Sequence, residues 1–406
     1  MSSKWMRWLP AAIVPAVVVT AAVAIPATAG AAPTLPEKSA DEVLAMIADS
    51  TGVAFSGTLE QRSDLGLPDI PTTPGSSELP TGALEFLTGS HTVRAFVGDS
   101  SSVRLQVLDD MAERDVIING DELWLYDSDP NEAVHVTLPE GTTAAIDAHA
   151  GGDAYPGYTG PRTPAEVATR LIEAIDPSTS VSVATTALVA GRSVYQLSLD
   201  PKSSETLVDG VTLSVDSETG LPLRVEVTAV GQDDPAVSLG FSAIDFSAPD
   251  ASLFDFSPPA GATVTEKPID PEALERRLSK HSAAHGALDA PHPTDPNEDH
   301  LAKHLPGVDA AGAEGAPAVY GSGWDAVVAL PAMPDAAFPM GTDAGGTPAS
   351  AAETAQLLEQ LTTDVEGGRV LSTALVTVLI TDDGRIFAGA VPVERLQAAA
   401  AGALER

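Results

Sequence analysis

Runs in which apolar side chains recur at every second residue, broken by tight turns, constrain this chain more than any other feature. His91 to Val97, Val103 to Leu108, Arg114 to Ile118, Glu122 to Tyr126 and Val134 to Leu138 form one series. Val181 to Val189, Ser193 to Leu199, Gly210 to Val215, Leu223 to Val230 and Ala236 to Phe246 form a second, and a final segment runs through Phe254. A period of two sends successive side chains to opposite faces of a strand. Asn119-Gly120 joins two of these runs, and both residues tolerate the positive φ of a two-residue hairpin. Gly191 and Glu218-Thr219-Gly220 mark further turns. Strands do not alternate with helices, so the pattern predicts an antiparallel meander rather than a parallel sheet. One face of such a sheet must be covered or must hold a ligand.

Helices enter at three capping boxes, a Ser or Thr followed three residues later by Glu: Ser39 with Glu42, Thr163 with Glu166, and Ser350 with Glu353. Two more are expected at Asp270-Pro271-Glu272 and near Pro392. Residues 62–82 are a loop rich in Pro, Gly and Ser, and residues 284–318 read as a linker. Beyond it, Val319 to Leu330 and Arg369 to Ile380 each read as a strand, and Asp382-Asp383-Gly384 turns the second into Arg385 to Val391. This divides the chain into a leader over 1–29, a large domain over 36–265, a helix and linker over 266–318, and a small C-terminal αβ domain over 319–406.

Met1 to Gly30 has the pattern of an export signal. Lys4 and Arg7 precede a long apolar run, and Ala27-Thr28-Ala29 is a small-residue cleavage site. The expected location is extracytoplasmic (secreted, periplasmic or in the cell envelope), with a membrane anchor if the signal is retained. The chain has no cysteine, which excludes disulfides, thiolate metal sites and a cysteine nucleophile. Acids outnumber bases by 57 to 21, a formal charge of -36, which argues against nucleic acid as a partner.

Three segments then carry a resemblance. Ile117-Ile118-Asn119-Gly120-Asp121-Glu122-Leu123-Trp124-Leu125-Tyr126-Asp127 is one, continued by Asp129 to Val134. Asp216-Ser217-Glu218-Thr219-Gly220-Leu221-Pro222-Leu223-Arg224 is the second. Phe254-Asp255-Phe256-Ser257-Pro258-Pro259-Ala260-Gly261-Ala262-Thr263-Val264 is the third. In order and spacing they resemble the LolA-type lipoprotein carriers, whose superfamily includes the RseB (MucB) regulators of sigma-E signalling. The resemblance implies an α+β fold: a curved, half-open antiparallel barrel covered by helices, with a hydrophobic cavity for acyl chains. The two-domain layout is similar to that of the RseB-like regulators, which implies an anti-sigma factor as a possible partner. The 62–82 loop and the C-terminal extension depart from the simple carriers.

A cavity for acyl chains needs apolar side chains and few polar groups. The candidate lining residues are Trp124 and Tyr126, which share a face, Leu105 and Val107, Tyr195 and Leu197, Leu213, and Phe254 and Phe256. The alternation leaves open which face is concave. Five of the eight histidines lie between His281 and His304. His281 and His285, and His300 and His304, have helical i,i+4 spacing and are weak candidates for a metal in the linker. The Glu of a zinc-protease helix is missing there. Nucleophile-elbow, Walker A and dinucleotide-binding motifs are missing as well. The expectation is a non-enzymatic protein without a cofactor that binds a lipid or a lipoprotein acyl chain. The alternatives are a lipid-sensing regulator that binds an anti-sigma factor, and a metal-handling protein.

Overall fold

The computed structural model describes residues 35–50, 52–67, 89–99, 101–108, 112–129, 131–137, 163–173, 175, 177–266, 318–330 and 361–404. The leader, the helices expected at Asp270 and Ser350, and His281, His285, His300 and His304 lie outside these residues. Twelve strands form the larger sheet. The first six are β1 (Phe55–Ser63), β2 (Gly89–Asp99), β3 (Ser102–Leu108), β4 (Glu113–Asn119), β5 (Glu122–Asp127) and β6 (Glu132–Thr137). The rest are β7 (Thr179–Val189), β8 (Arg192–Pro201), β9 (Val208–Asp216), β10 (Pro222–Ala229), β11 (Val237–Asp245) and β12 (Thr263–Glu266). Across the sheet the order is β12-β6-β5-β4-β3-β2-β1-β11-β10-β9-β8-β7. Two meanders thus meet where β1 pairs with β11. Pairing is antiparallel throughout except between β12 and β6, which run parallel.

β1 has no place among the alternating runs read from the sequence, yet it joins the two halves. Its apolar positions, Phe55 and Leu59, are separated by Gly57, so the period is broken in the sequence and restored in the fold. A Cβ on Gly57 would lie 2.7 Å from Phe241 Cδ1 and 2.8 Å from the Ala243 carbonyl, so only glycine lets that ring close over β1. Register shifts at Thr58/Leu59, Val97/Asp99, Val183/Thr186 and Thr228/Ala229 mark bulges. Bulges bend and twist a strand. The sheet nevertheless stays open, with β12 and β7 as its two edges.

Two helices pack at one end of the sheet. The first, α1 (Ala40–Asp49), begins at its expected capping box: Glu42 N donates to Ser39 Oγ, and the Glu42 carboxylate accepts from Ser39 N at 2.8 Å. Val43 and Ile47 of α1 and Ala168 of α2 (Pro164–Glu173) are buried with Tyr195, Leu197, Leu199, Leu213 and Val225 of the sheet. A helical cover over the rest of the sheet is not found among the described residues.

The second sheet has six antiparallel strands in the order β13-β14-β18-β17-β16-β15. They are β13 (Ala318–Tyr320), β14 (Val327–Leu330), β15 (Thr363–Val365), β16 (Gly368–Ser372), β17 (Thr377–Thr381) and β18 (Ile386–Gly389). Helix α3 (Val393–Ala400) follows, near the expected Pro392, and buries Leu396 and Ala399 against Leu379 and Phe387. Here the sequence reading is corrected twice. Val319 to Leu330 is two strands, parted by a 3-10 turn over Gly323–Asp325. Arg369 to Ile380 is a hairpin, because Thr373 Oγ1 accepts from Leu375 N and Val376 N and closes a turn where apolar alternation alone gives no break. Trp324 Nε1 donates to Thr179 Oγ1 at 2.9 Å, and the amides of Leu207 and Ala374 donate to the carbonyls of Ala390 and Leu65.

Replacing Gly57 by Ala is expected to cost about 1–3 kcal/mol, the usual range for overpacking a filled core. Urea unfolding of the variant measures it; an unchanged midpoint would mean that β1 and Phe241 are not in this contact.

Candidate functional site

Directly paired residues of a sheet point to the same face, so the register sorts every side chain of β1 to β6. One row crosses the sheet as Phe55, Val97, Val103, Ile118, Leu123 and Val136. The next row on the same face is Gly57, Ala95, Leu105, Val116, Leu125 and Val134. Neither row contains a polar side chain. A third row begins Leu59, Val93, Val107 and ends Arg114, Asp127, Glu132. On the other side of β1, Leu59 faces Phe241, and Gln61 faces Leu239, which faces Val225 of β10. The face that lies under α1 is therefore the same face that carries the two apolar rows to β6; we call it the inner face.

Its two ends differ. Under α1, Tyr195, Leu197 and Leu213 are buried and packed, and Tyr195 Oη donates to the Pro36 carbonyl at 3.0 Å. Toward β6 the floor is only partly covered. Ile118, Leu123 and Val136 are buried, but Val97, Val103, Val116, Leu125 and Val134 are half-buried. These five form the open part of the inner face.

The outer face is built differently. Its rows carry Phe96, Arg104, Ile117, Trp124 and His135, then Arg94, Gln106, Asp115, Tyr126 and Ala133. The segment from Asp250 to Glu266 lies across it as a strap. The Phe256 ring sits 5.4 Å from Trp124 and 5.5 Å from Tyr126, and Trp124 stacks on His135 at 4.1 Å. Arg104 Nη1 donates to the Leu253 carbonyl, Asn119 Nδ2 donates to Asp255, and His135 Nδ1 lies 2.8 Å from Glu266. Phe254 is buried, with its ring against Gly98. Arg104 also grips Asp115 through two bonds, at 2.9 and 3.3 Å. Burial, and then the neighbouring Asp115, raise the Glu113 carboxyl above its ordinary value.

The nine lining candidates therefore do not meet in one cavity. Leu105 and Val107 lie on the inner face of β3. Tyr195, Leu197 and Leu213 lie on the same face but inside the filled cluster under α1. Trp124 and Tyr126 are on the outer face under the strap, and Phe254 and Phe256 belong to the strap itself. Val97, Val103, Val116, Leu125 and Val134, the half-buried side chains of the inner face, are not among the nine. Leu123 and Leu125 share the inner face and Trp124 and Tyr126 the outer one.

The second sequence segment has a separate task. Asp216, buried at the end of β9, accepts from Arg192 Nε at 2.8 Å and Nη2 at 3.0 Å, and from the amides of Glu218 and Thr219. Burial pushes its carboxyl up, but the bonds from Arg192 and from the turn outweigh burial and hold it below the ordinary aspartate range. The turn ends at Gly220, where a Cβ would lie 2.2 Å from the Met46 carbonyl of α1. The hairpin is thus the socket for α1. Among the described residues no group of three or more His, Asp or Glu is arranged to hold a metal ion, and no helix is long and apolar enough to cross a membrane.

No family model and no curated protein matches the chain. Solved structures do. The chain is similar to MucB of Pseudomonas aeruginosa in its complex with MucA, at 16% identity and a TM-score of 0.38 over 89% of this chain and 96% of that one. It is similar to a LolA superfamily protein from Nitrosomonas europaea, at 10% identity and a TM-score of 0.22 over 54% of this chain and 99% of that one. An uncharacterized conserved protein from Thermus thermophilus gives 11% identity and a TM-score of 0.31 over 56% and 99%.

Asp216→Asn is expected to cost about 1.5–3 kcal/mol at neutral pH, the usual worth of hydrogen bonds to a charged group. The folded carboxyl titrates below an unfolded value of about 3.9, so its stabilisation is complete above that pH and is lost as pH falls through the folded value. Urea midpoints of the two proteins, measured from pH 7 downward, should converge in acid; a constant gap would contradict the assignment.

Proposed function

We propose that this is an extracytoplasmic, non-enzymatic protein that binds a long acyl chain, free or on a lipoprotein, on the open part of the inner face. One observation carries the reading: two adjacent rows cross six strands without a polar side chain, and five of their side chains are half-buried. Strands about 4.8 Å apart make the path from β2 to β6 about 19 Å long. Each methylene removed from water contributes about 0.8 kcal/mol, so a chain of this length is held without a covalent bond. The polar desolvation that would oppose it is missing from both rows. Release does not require α1 to swing away. Val43 of α1 is fully buried and Gly220 is fitted to its backbone, so α1 belongs to the core rather than to a lid.

A second reading, a lipid-responsive regulator that binds an anti-sigma factor, is favoured by the small sheet. Trp324, Leu375 and Ala390 pack against the same buried cluster that α1 enters. That contact gives the inner face a physical route to the second sheet.

Leu125→Asp places a charge in the middle of the open rows and is expected to weaken binding of palmitoyl monoacylglycerol at least about tenfold. Trp124→Phe, on the outer face, should leave it unchanged. Equilibrium binding to both variants, with folding checked by circular dichroism, decides; the reverse pattern would move the site to the strap side.

A further inference from the structure

The third row of the inner face borders the acyl path and changes character along it. Over β1 to β3 it is Leu59, Val93 and Val107; over β4 to β6 it is Arg114, Asp127 and Glu132. Directly paired residues of neighbouring strands are about 5 Å apart. One cation and two carboxylates thus stand side by side along the margin of the open rows. Arg114 and Asp127 are half-buried and Glu132 is exposed. Arg114 already has polar interactions of its own, and one oxygen of Asp127 accepts from Asp129 N at 3.0 Å. The margin is polar on both signs while the floor beside it is wholly apolar.

We infer that the inner face takes a zwitterionic amphiphile, its acyl chain on the two apolar rows, its phosphate at Arg114 and its ammonium group at Asp127 and Glu132. The inference rests on the acyl-binding reading above and adds the head group to it. Guanidinium recognises phosphate through charge-assisted, often paired, hydrogen bonds. Two carboxylates beside one arginine leave a net negative margin, which an anionic head without a cationic group would meet with repulsion. The chain's charge of -36 adds to that repulsion at long range. A head of both signs satisfies the margin; a neutral head leaves Arg114 and Asp127 no better paired than before.

The test compares palmitoyl ligands below their micellar concentrations, by equilibrium binding to the protein without its leader. Lysophosphatidylethanolamine should bind roughly tenfold more tightly than monoacylglycerol or lysophosphatidylglycerol. The head alone, glycerophosphoethanolamine, should not compete. The ratio of lysophosphatidylethanolamine to monoacylglycerol affinity should fall toward one in Arg114→Gln and in Asp127→Asn, each checked by thermal melting. It should persist in Arg94→Gln, which alters an exposed arginine of the outer face. Equal affinities for the three lipids, or competition by the free head group, would overturn the head-group assignment and leave the apolar site standing. Failure of all three lipids to bind would remove the acyl site and the head group with it.

Discussion

Everything in the large sheet depends on β1 being clasped on both sides. Phe55 and Leu59 meet Val97 and Val93 across β2, and Leu59 meets Phe241 across β11. Phe55 and Phe241 pack edge to face at 5.4 Å between ring centres. If this register slipped by one residue, the apolar rows of one meander would face the polar rows of the other. The bare backbone at Gly57 lets the aromatic ring close over the joint.

The outer face shows why two of the sequence segments that resemble lipoprotein carriers travel together. The hairpin around Asn119-Gly120 supplies Trp124 and Tyr126, and the strap supplies Phe256 between them. Asn119 and Asp255 join the two segments again at the turn. Their aromatic residues cover the outer side of the β4–β5 hairpin, while Val116 and Leu125 on its inner side stay half-buried. The second segment, around Asp216, seats α1. All three segments make contacts that hold the sheet and its helix in place.

Much of this fold is legible from alternation. The strands of both meanders, the Ser39 capping box and the Asn119-Gly120 hairpin stand where their residue types put them. β1 is not legible, because glycine at position 57 removes one beat of its pattern, and its partners lie far away in sequence. Which side of the sheet is left open is not legible either. In β4 and β5 both faces bear large apolar residues, Ile118, Leu123 and Leu125 on one and Ile117, Trp124 and Tyr126 on the other. Only the long-range return of the strap shows which of them are spent on packing. The small sheet was misjudged where a hydroxyl turn, at Thr373, replaces the glycine that usually advertises a break.

The central claim is that the open inner face, and not the aromatic strap, receives the apolar ligand. The most direct measurement is paramagnetic broadening of methyl resonances by a palmitoyl lipid spin-labelled near the end of its chain. Selective broadening of the methyl groups of Val103, Val116, Leu125 and Val134, with the indole signal of Trp124 spared, is the expected result. Broadening centred on Trp124, or spread evenly over the protein, would contradict the account.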